Sequence, residues 1–168
     1  MLEQGKFKHV DDEQLREVFN NQVNKEVQLY ETMLTRHTTM IVGPTGSGKS
    51  VIINSLKEAI RLEYNEVVKI RVINPKSITI NELYGVLDPE SRDWTDGLLS
   101  KTFRECNTED FPQGKRERRW ILYDGDVDAV WVENMNSVMD DNKLLTLTNG
   151  ERIKLQKFCA MLFEVFDL

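Results

Sequence analysis

The chain has 168 residues, with 22 Lys and Arg against 28 Asp and Glu for a net charge of −6, and 40% of it is hydrophobic. A chain of this length buries about 70% of the surface that its unfolded form exposes, so one core suffices without disulfides or a structural metal. The acidic balance opposes a broad nucleic-acid footprint, which demands clustered Lys and Arg. The longest apolar run, Phe158 to Phe163, is far short of the roughly 20 residues of a membrane span. MLEQGKFKHV lacks the apolar stretch of a secretory signal, and Cys106 and Cys159 form no CxxC pair, so the sequence predicts a reducing, cytoplasmic setting with neither nucleic acid nor membrane as a partner.

In chain order, Asp11 and Asp12 precede a helical pattern carrying Leu15, Val18, Phe19, Gln22 and Val23 on one face, and a second pattern carries Val27, Tyr30, Met33 and Leu34. Two helices are therefore expected as a lead-in over residues 1–36. Thr38 to Val42 is short, β-branched and apolar, and reads as a buried strand opening an α/β domain over 37–168. Helical spacing follows from Ser50 to Arg61, then a second strand from Val67 to Ile73, closed by Asn74-Pro75. A loop-rich stretch holds Asp88-Pro89, Trp94 and Gly97, and Leu98 to Cys106 reads as a helix. The basic cluster Lys115, Arg116, Arg118 and Arg119 sits beside Pro112 and Gly114 and is expected in a solvated loop. Trp120 to Asp124 reads as a third strand, Trp131 to Met139 as a helix, Leu144 to Leu155 as a hairpin around Asn149-Gly150, and Cys159 to Val165 as a fourth strand. Trp120, Trp131, Phe158, Leu162 and Phe163 are expected in the core. An α/β domain that stops on a strand reads as truncated, and the expectation is that this fourth strand carries an unpaired edge.

Gly43-Pro44-Thr45-Gly46-Ser47-Gly48-Lys49-Ser50 matches GxxxxGK[ST] at every fixed position. Glycines let successive N–H groups approach phosphate oxygens, and the helix that follows presents its positive end to the same anion. The motif predicts that Gly43 to Ser50, with Val51, hold the phosphates of ATP or ADP. Lys49 reaches the β- and γ-phosphates and the Ser50 hydroxyl ligates Mg²⁺. Asp124 ends an apolar strand and is the candidate acid for the shell of that metal. Active AAA+ ATPases carry a glutamate directly after such an acid to polarise the attacking water, whereas here the position is Gly125. Asp126 and Asp128 are weaker substitutes, and no catalytic residue is assigned.

The blocks GPTGSGKS, NPKSITINELYG (74–85), RDWTDGLLS (92–100), DGDVDAVWVENMNSVMDDNKLLTLTNGERIKL (124–155) and LFEVFDL (162–168) resemble the second AAA+ module in the motor ring of dynein heavy chains. The wording is closer to axonemal than to cytoplasmic dyneins. The resemblance implies the AAA+ large subdomain, a P-loop NTPase fold with a parallel sheet flanked by helices and a β-hairpin insertion, without the fifth strand and helical lid that follow in the family. It implies a module that binds ATP·Mg²⁺ with little or no hydrolysis and shapes the ring. Its partners are then neighbouring modules of the same heavy chain, with the microtubule reached only through the whole motor, in the cytoskeleton of a cilium or flagellum axoneme. Asp167 falls where the family's sensor strand ends. The rival readings are an autonomous P-loop NTPase or kinase and a ligand-free scaffold. His9 and His37 lack partners at zinc-ligand spacing, and Glu133 and Asn134 are expected on an exposed helix start.

Overall fold

The computed structural model describes residues 12–111, 116–125 and 127–167. A single helix, α1 (Asp12–Thr35), leads into β1 (Thr38–Val42), which feeds α2 (Lys49–Tyr64) and β2 (Val67–Ile73). There follow α3 (Ile80–Tyr84), β3 (Gly85–Leu87), β4 (Trp94–Asp96), α4 (Leu98–Asn107) and β5 (Glu117–Asp124). After α5 (Ala129–Val132) and α6 (Asn136–Met139) come β6 (Leu144–Thr146), β7 (Arg152–Lys154) and β8 (Cys159–Val165). The lead-in is thus one helix where two were expected, because Asn20, Asn21 and Asn24 lower helix propensity without the backbone block of proline.

β1, β8, β5 and β2 form one parallel sheet in that spatial order. The last strand is therefore central, paired with β1 on one side and β5 on the other, so the unpaired edge expected for Cys159–Val165 lies instead on β1 and β2. Chain order alone does not reveal this, since β8 inserts between strands formed much earlier.

Alternation along the central strands sorts their side chains into two layers. Trp120 and Leu122 of β5 and Leu162 of β8 pack with Leu29 of α1 and with Ile53, Leu56 and Ile60 of α2. On the other face Ile121, Tyr123, Met161, Phe163 and Val165 pack with Leu99 and Phe103 of α4, with Trp131, and with Leu145 and Ile153 of the β6–β7 hairpin. Within that layer the Tyr123 and Phe163 rings stack at a centroid distance of 4.5 Å. The expected core residues Trp120, Trp131, Leu162 and Phe163 are buried, and Phe158 is half-buried against the layer that holds Trp131 and Phe163.

Three further expectations change. The stretch expected as loop holds a short helix and a hairpin: Thr79 and Glu82 form a capping box that starts α3, and β3 pairs antiparallel with β4. The helix expected over Trp131–Met139 is broken by a tight turn at Glu133–Met135 into α5 and α6. The basic cluster is not wholly a solvated loop, because β5 begins at Glu117 and Arg119 is buried. Arg119 Nε donates to Glu117 Oε1 at 2.6 Å, and its Nη1 donates to the carbonyls of Glu105 and Cys106 at 2.9 and 3.0 Å, satisfying the open end of α4. Lys115 lies outside the described residues.

Both cysteines are free and buried, and burial pushes both thiols up. His37 Nε2 hydrogen-bonds the carbonyl of Val138 at 2.7 Å, while His9 lies outside the described residues. Among the described residues no helix is long and apolar enough to cross a membrane.

Candidate functional site

β1 ends at Val42 and α2 starts at Lys49, so the glycine-rich segment spans the carboxyl end of the sheet, where open α/β folds place their ligands. Its entry is fixed by the sheet, with Gly43 N donating to the carbonyl of Val165 at 3.0 Å, and Ser47 N donates to the carbonyl of Pro44 at 3.1 Å to close a turn. Gly46 and Gly48 hold φ of 81° and 89°, and a Cβ on either would meet nothing within 4 Å. The loop therefore turns through the left-handed region and leaves an open concave face. The 16-residue α2 aims its first N–H groups, which have no intrahelical acceptors, at that face. Lys49 Nζ donates to the carbonyls of Gly43 and Pro44 at 2.6 and 3.1 Å, so the ammonium lies over the loop it belongs to.

The acids arrive from the strands. Asp124 shares the alternation of Trp120 and Leu122, and Glu164 that of Ala160 and Leu162, so both belong to the face that α2 covers. Asp124 and Glu164 are register partners on β5 and β8. Ser50 Oγ donates to Glu164 Oε2 at 3.0 Å, while Glu164 Oε1 is buried with no hydrogen-bond partner among the described residues. Thr45, Gly46, Gly48, Lys49, Ser50, Val51, Asp124, Gly125, Glu164 and Phe166 line one cavity of about 470 Å³. Gly43, Pro44 and Ser47 border a second hollow on the α1 side of the loop, to which Lys49 also contributes.

The structure thus brings the motif and Asp124 together. It keeps Asp128, Glu133, Asn134 and Asp167 out of the residues lining that cavity, and Asp126 lies outside the described residues. Sequence reasoning missed Glu164. The signal was present as a single acid inside the apolar run CAMLFEV, since a buried carboxylate needs a partner. A wider cavity of about 580 Å³ opens at the opposite end of the sheet, away from the phosphate loop, where Glu66 holds Arg118.

The donor set fits a magnesium nucleotide. Among the described residues no three His, Cys, Asp or Glu side chains gather into a metal cage. Mg²⁺ is ordinarily held by one or two carboxylates together with substrate phosphates and waters, which is what two carboxylates and a hydroxyl beside a phosphate-loop backbone offer.

A family model described as "AAA domain (dynein-related subfamily)" matches residues 38–166, more than half of the chain. The chain belongs to that family. A second model, "Hydrolytic ATP binding site of dynein motor region", matches residues 2–50 of the chain. Over 147 residues, 88% of the chain, it is 63% identical to human dynein axonemal heavy chain 10. It is 62% identical over 149 residues to the 1-alpha heavy chain of the flagellar inner arm I1 complex of Chlamydomonas reinhardtii, and 50% identical over 148 residues to the cytoplasmic dynein heavy chain of Drosophila melanogaster. The chain spans 3% of the length of each of these three relatives. It is a nucleotide-binding AAA module of the dynein heavy-chain kind.

Proposed function

We propose that this module binds ATP or ADP with Mg²⁺ on Gly43 to Val51 and Asp124, turns it over little or not at all, and serves as the second AAA+ module of an axonemal dynein motor ring. The observation that carries the nucleotide is the juxtaposition of the glycine-rich loop, the start of α2 and Asp124 around one cavity at the carboxyl end of the sheet. In this reading the α2 N–H groups and the Lys49 ammonium hold the phosphates, and Ser50 and Asp124 hold the cation, which when bound neutralises phosphate charge. The same reading divides the chain at 36/37, with α1 (Asp12–Thr35) as the lead-in to the nucleotide-binding subdomain.

Absence of turnover is supported by Gly125, the position where active relatives present a glutamate. The backbone there has φ of 141°, a conformation that L side chains rarely adopt, so the strand end is built around a glycine. Resident nucleotide then acts as a spacer that sets how neighbouring modules of the same heavy chain pack, and the microtubule is reached only through the complete motor. The higher identities to two axonemal or flagellar chains than to the Drosophila cytoplasmic one support a cilium or flagellum as its place.

Equilibrium binding of a fluorescent ATP analogue, with Mg²⁺ and with EDTA, tests the reading. Saturable binding that tightens in Mg²⁺, lost more in Mg²⁺ than in EDTA on Asp124→Asn, is expected. No binding by the chain, or sustained Mg²⁺-dependent phosphate release, would overturn it.

A further inference from the structure

Glu164 is 8% exposed, is flanked in β8 by fully buried Phe163 and nearly buried Val165, and has one carboxylate oxygen engaged and one without a partner. Burying an ionised carboxylate in an apolar strand is costly unless something compensates it. Among the described residues its carboxylate receives one hydrogen bond, from Ser50 Oγ, and the cavity it lines is the one that receives the phosphate loop. A hydroxyl has one proton and two acceptor lone pairs. With its proton committed to Glu164 Oε2, Ser50 keeps both lone pairs free for an electron acceptor. A carboxylate that fixes the Ser50 proton therefore also fixes which part of Ser50 a cation meets.

We propose that Glu164 is a positioning residue of the divalent-cation site: it orients the Ser50 hydroxyl toward the cation and, beside its register partner Asp124, makes nucleotide binding more dependent on Mg²⁺. The proposal rests on the nucleotide reading above and extends it to a strand that carries no part of the phosphate-loop motif. Through Ser50, Glu164 takes the outer-shell role by which such partners tune metal affinity, typically 10- to 100-fold.

The test is fluorescent ADP binding to the unmodified chain, Glu164→Gln, Ser50→Ala and the double variant, each in Mg²⁺ and in EDTA. Glu164→Gln keeps the size and an acceptor and removes the charge. Affinity is expected to fall about 10-fold in Mg²⁺ and to stay unchanged in EDTA, and the double variant is expected to bind no worse than Ser50→Ala alone. Equal losses in both buffers would make Glu164 structural, no loss would make it irrelevant to the cation, and additive losses would show that it does not act through Ser50; each overturns the proposal. Should Glu164→Gln not fold by circular dichroism, Glu164→Asp retains the charge one methylene short and is expected to lose affinity in Mg²⁺ only, with an EDTA loss of the same size overturning it. An unmodified chain that binds no nucleotide removes the functional reading and this proposal together, whereas binding by the unmodified chain with an indifferent Glu164→Gln removes this proposal alone.

Discussion

Lys49 closes its own loop: its Nζ lies 2.6 Å from the carbonyl oxygen of Gly43, the residue that opens the motif. The ammonium is thereby parked where phosphate oxygens are expected to replace the carbonyls as acceptors. Each hydrogen bond to a charged group is worth about 1.5–3 kcal/mol, so Lys49→Ala is expected to weaken magnesium-nucleotide binding by about 10- to 100-fold or more. The side chain contributes little to either core cluster, and the circular dichroism spectrum should be retained. Equal affinities of the two proteins by calorimetry would remove the loop as the site.

Gly125 shows why inserting the absent glutamate does not simply restore an active site. A Cβ at this position meets only Asn74 Oδ1, at 3.7 Å, so space is not the obstacle, but φ of 141° is. Strain of this kind costs about 1–3 kcal/mol. Gly125→Glu is therefore expected to lower urea stability by that amount and to leave phosphate release near the level of the unmodified chain. A stable variant with rapid release would show that the strand end relaxes freely.

Arg119 and Glu117 make a buried pair, with Lys69 Nζ reaching Glu117 Oε2 at 2.8 Å from the neighbouring strand. Burial alone would push the Glu117 carboxyl up, but the hydrogen bonds from Lys69 and Arg119 outweigh it and hold it below the ordinary value. A carboxyl lowered in the folded state stabilises fully above its unfolded value, near 4.3, and that contribution is lost as the pH falls through the folded value. Removing one partner of a buried pair typically costs about 3–5 kcal/mol. Arg119→Met is expected to lose stability of that order at neutral pH and to show a shallower decline below about pH 4, measured as urea midpoints across a pH series. An unchanged pH profile would mean that the pair does not contribute in this way.

Much of the architecture was legible because each signal is local. The strands Thr38–Val42, Val67–Ile73 and Cys159–Val165 match the observed bounds, and Asn149-Gly150 does join a hairpin. The phosphate loop was legible for the same reason, since its chemistry is written in eight consecutive residues. Strand order was not, because the placement of β8 between β1 and β5 depends on packing across both faces. Neither was the inward turn of Arg119, whose partners Glu105 and Cys106 lie on another element. Glu164 escaped because its significance depends on Ser50, 114 positions away in sequence.

The two sheet edges differ in what they present, and this determines how the chain should associate. β2 carries Lys69 and Arg71, both exposed and paired with Glu117 and Glu105, and edge charges discourage pairing with another strand. β1 is uncharged, and Met40 and Val42 are 39% and 44% exposed. They point away from the α1 and α2 layer, on the face where α4 and the β6–β7 hairpin cover the more central strands. Among the described residues no strand pairs with the outer edge of β1. An uncharged edge beside exposed apolar side chains is a template for another chain, so light scattering should report a mass that rises with concentration. Met40→Lys places a charge on that exposed face without touching β8 backbone pairing, and is expected to return the chain to a monomer. Lys69→Ala, which removes charge from the opposite edge, should alter association far less. A monomeric mass at every concentration, or association that survives Met40→Lys, would show that the β1 edge is not the contact.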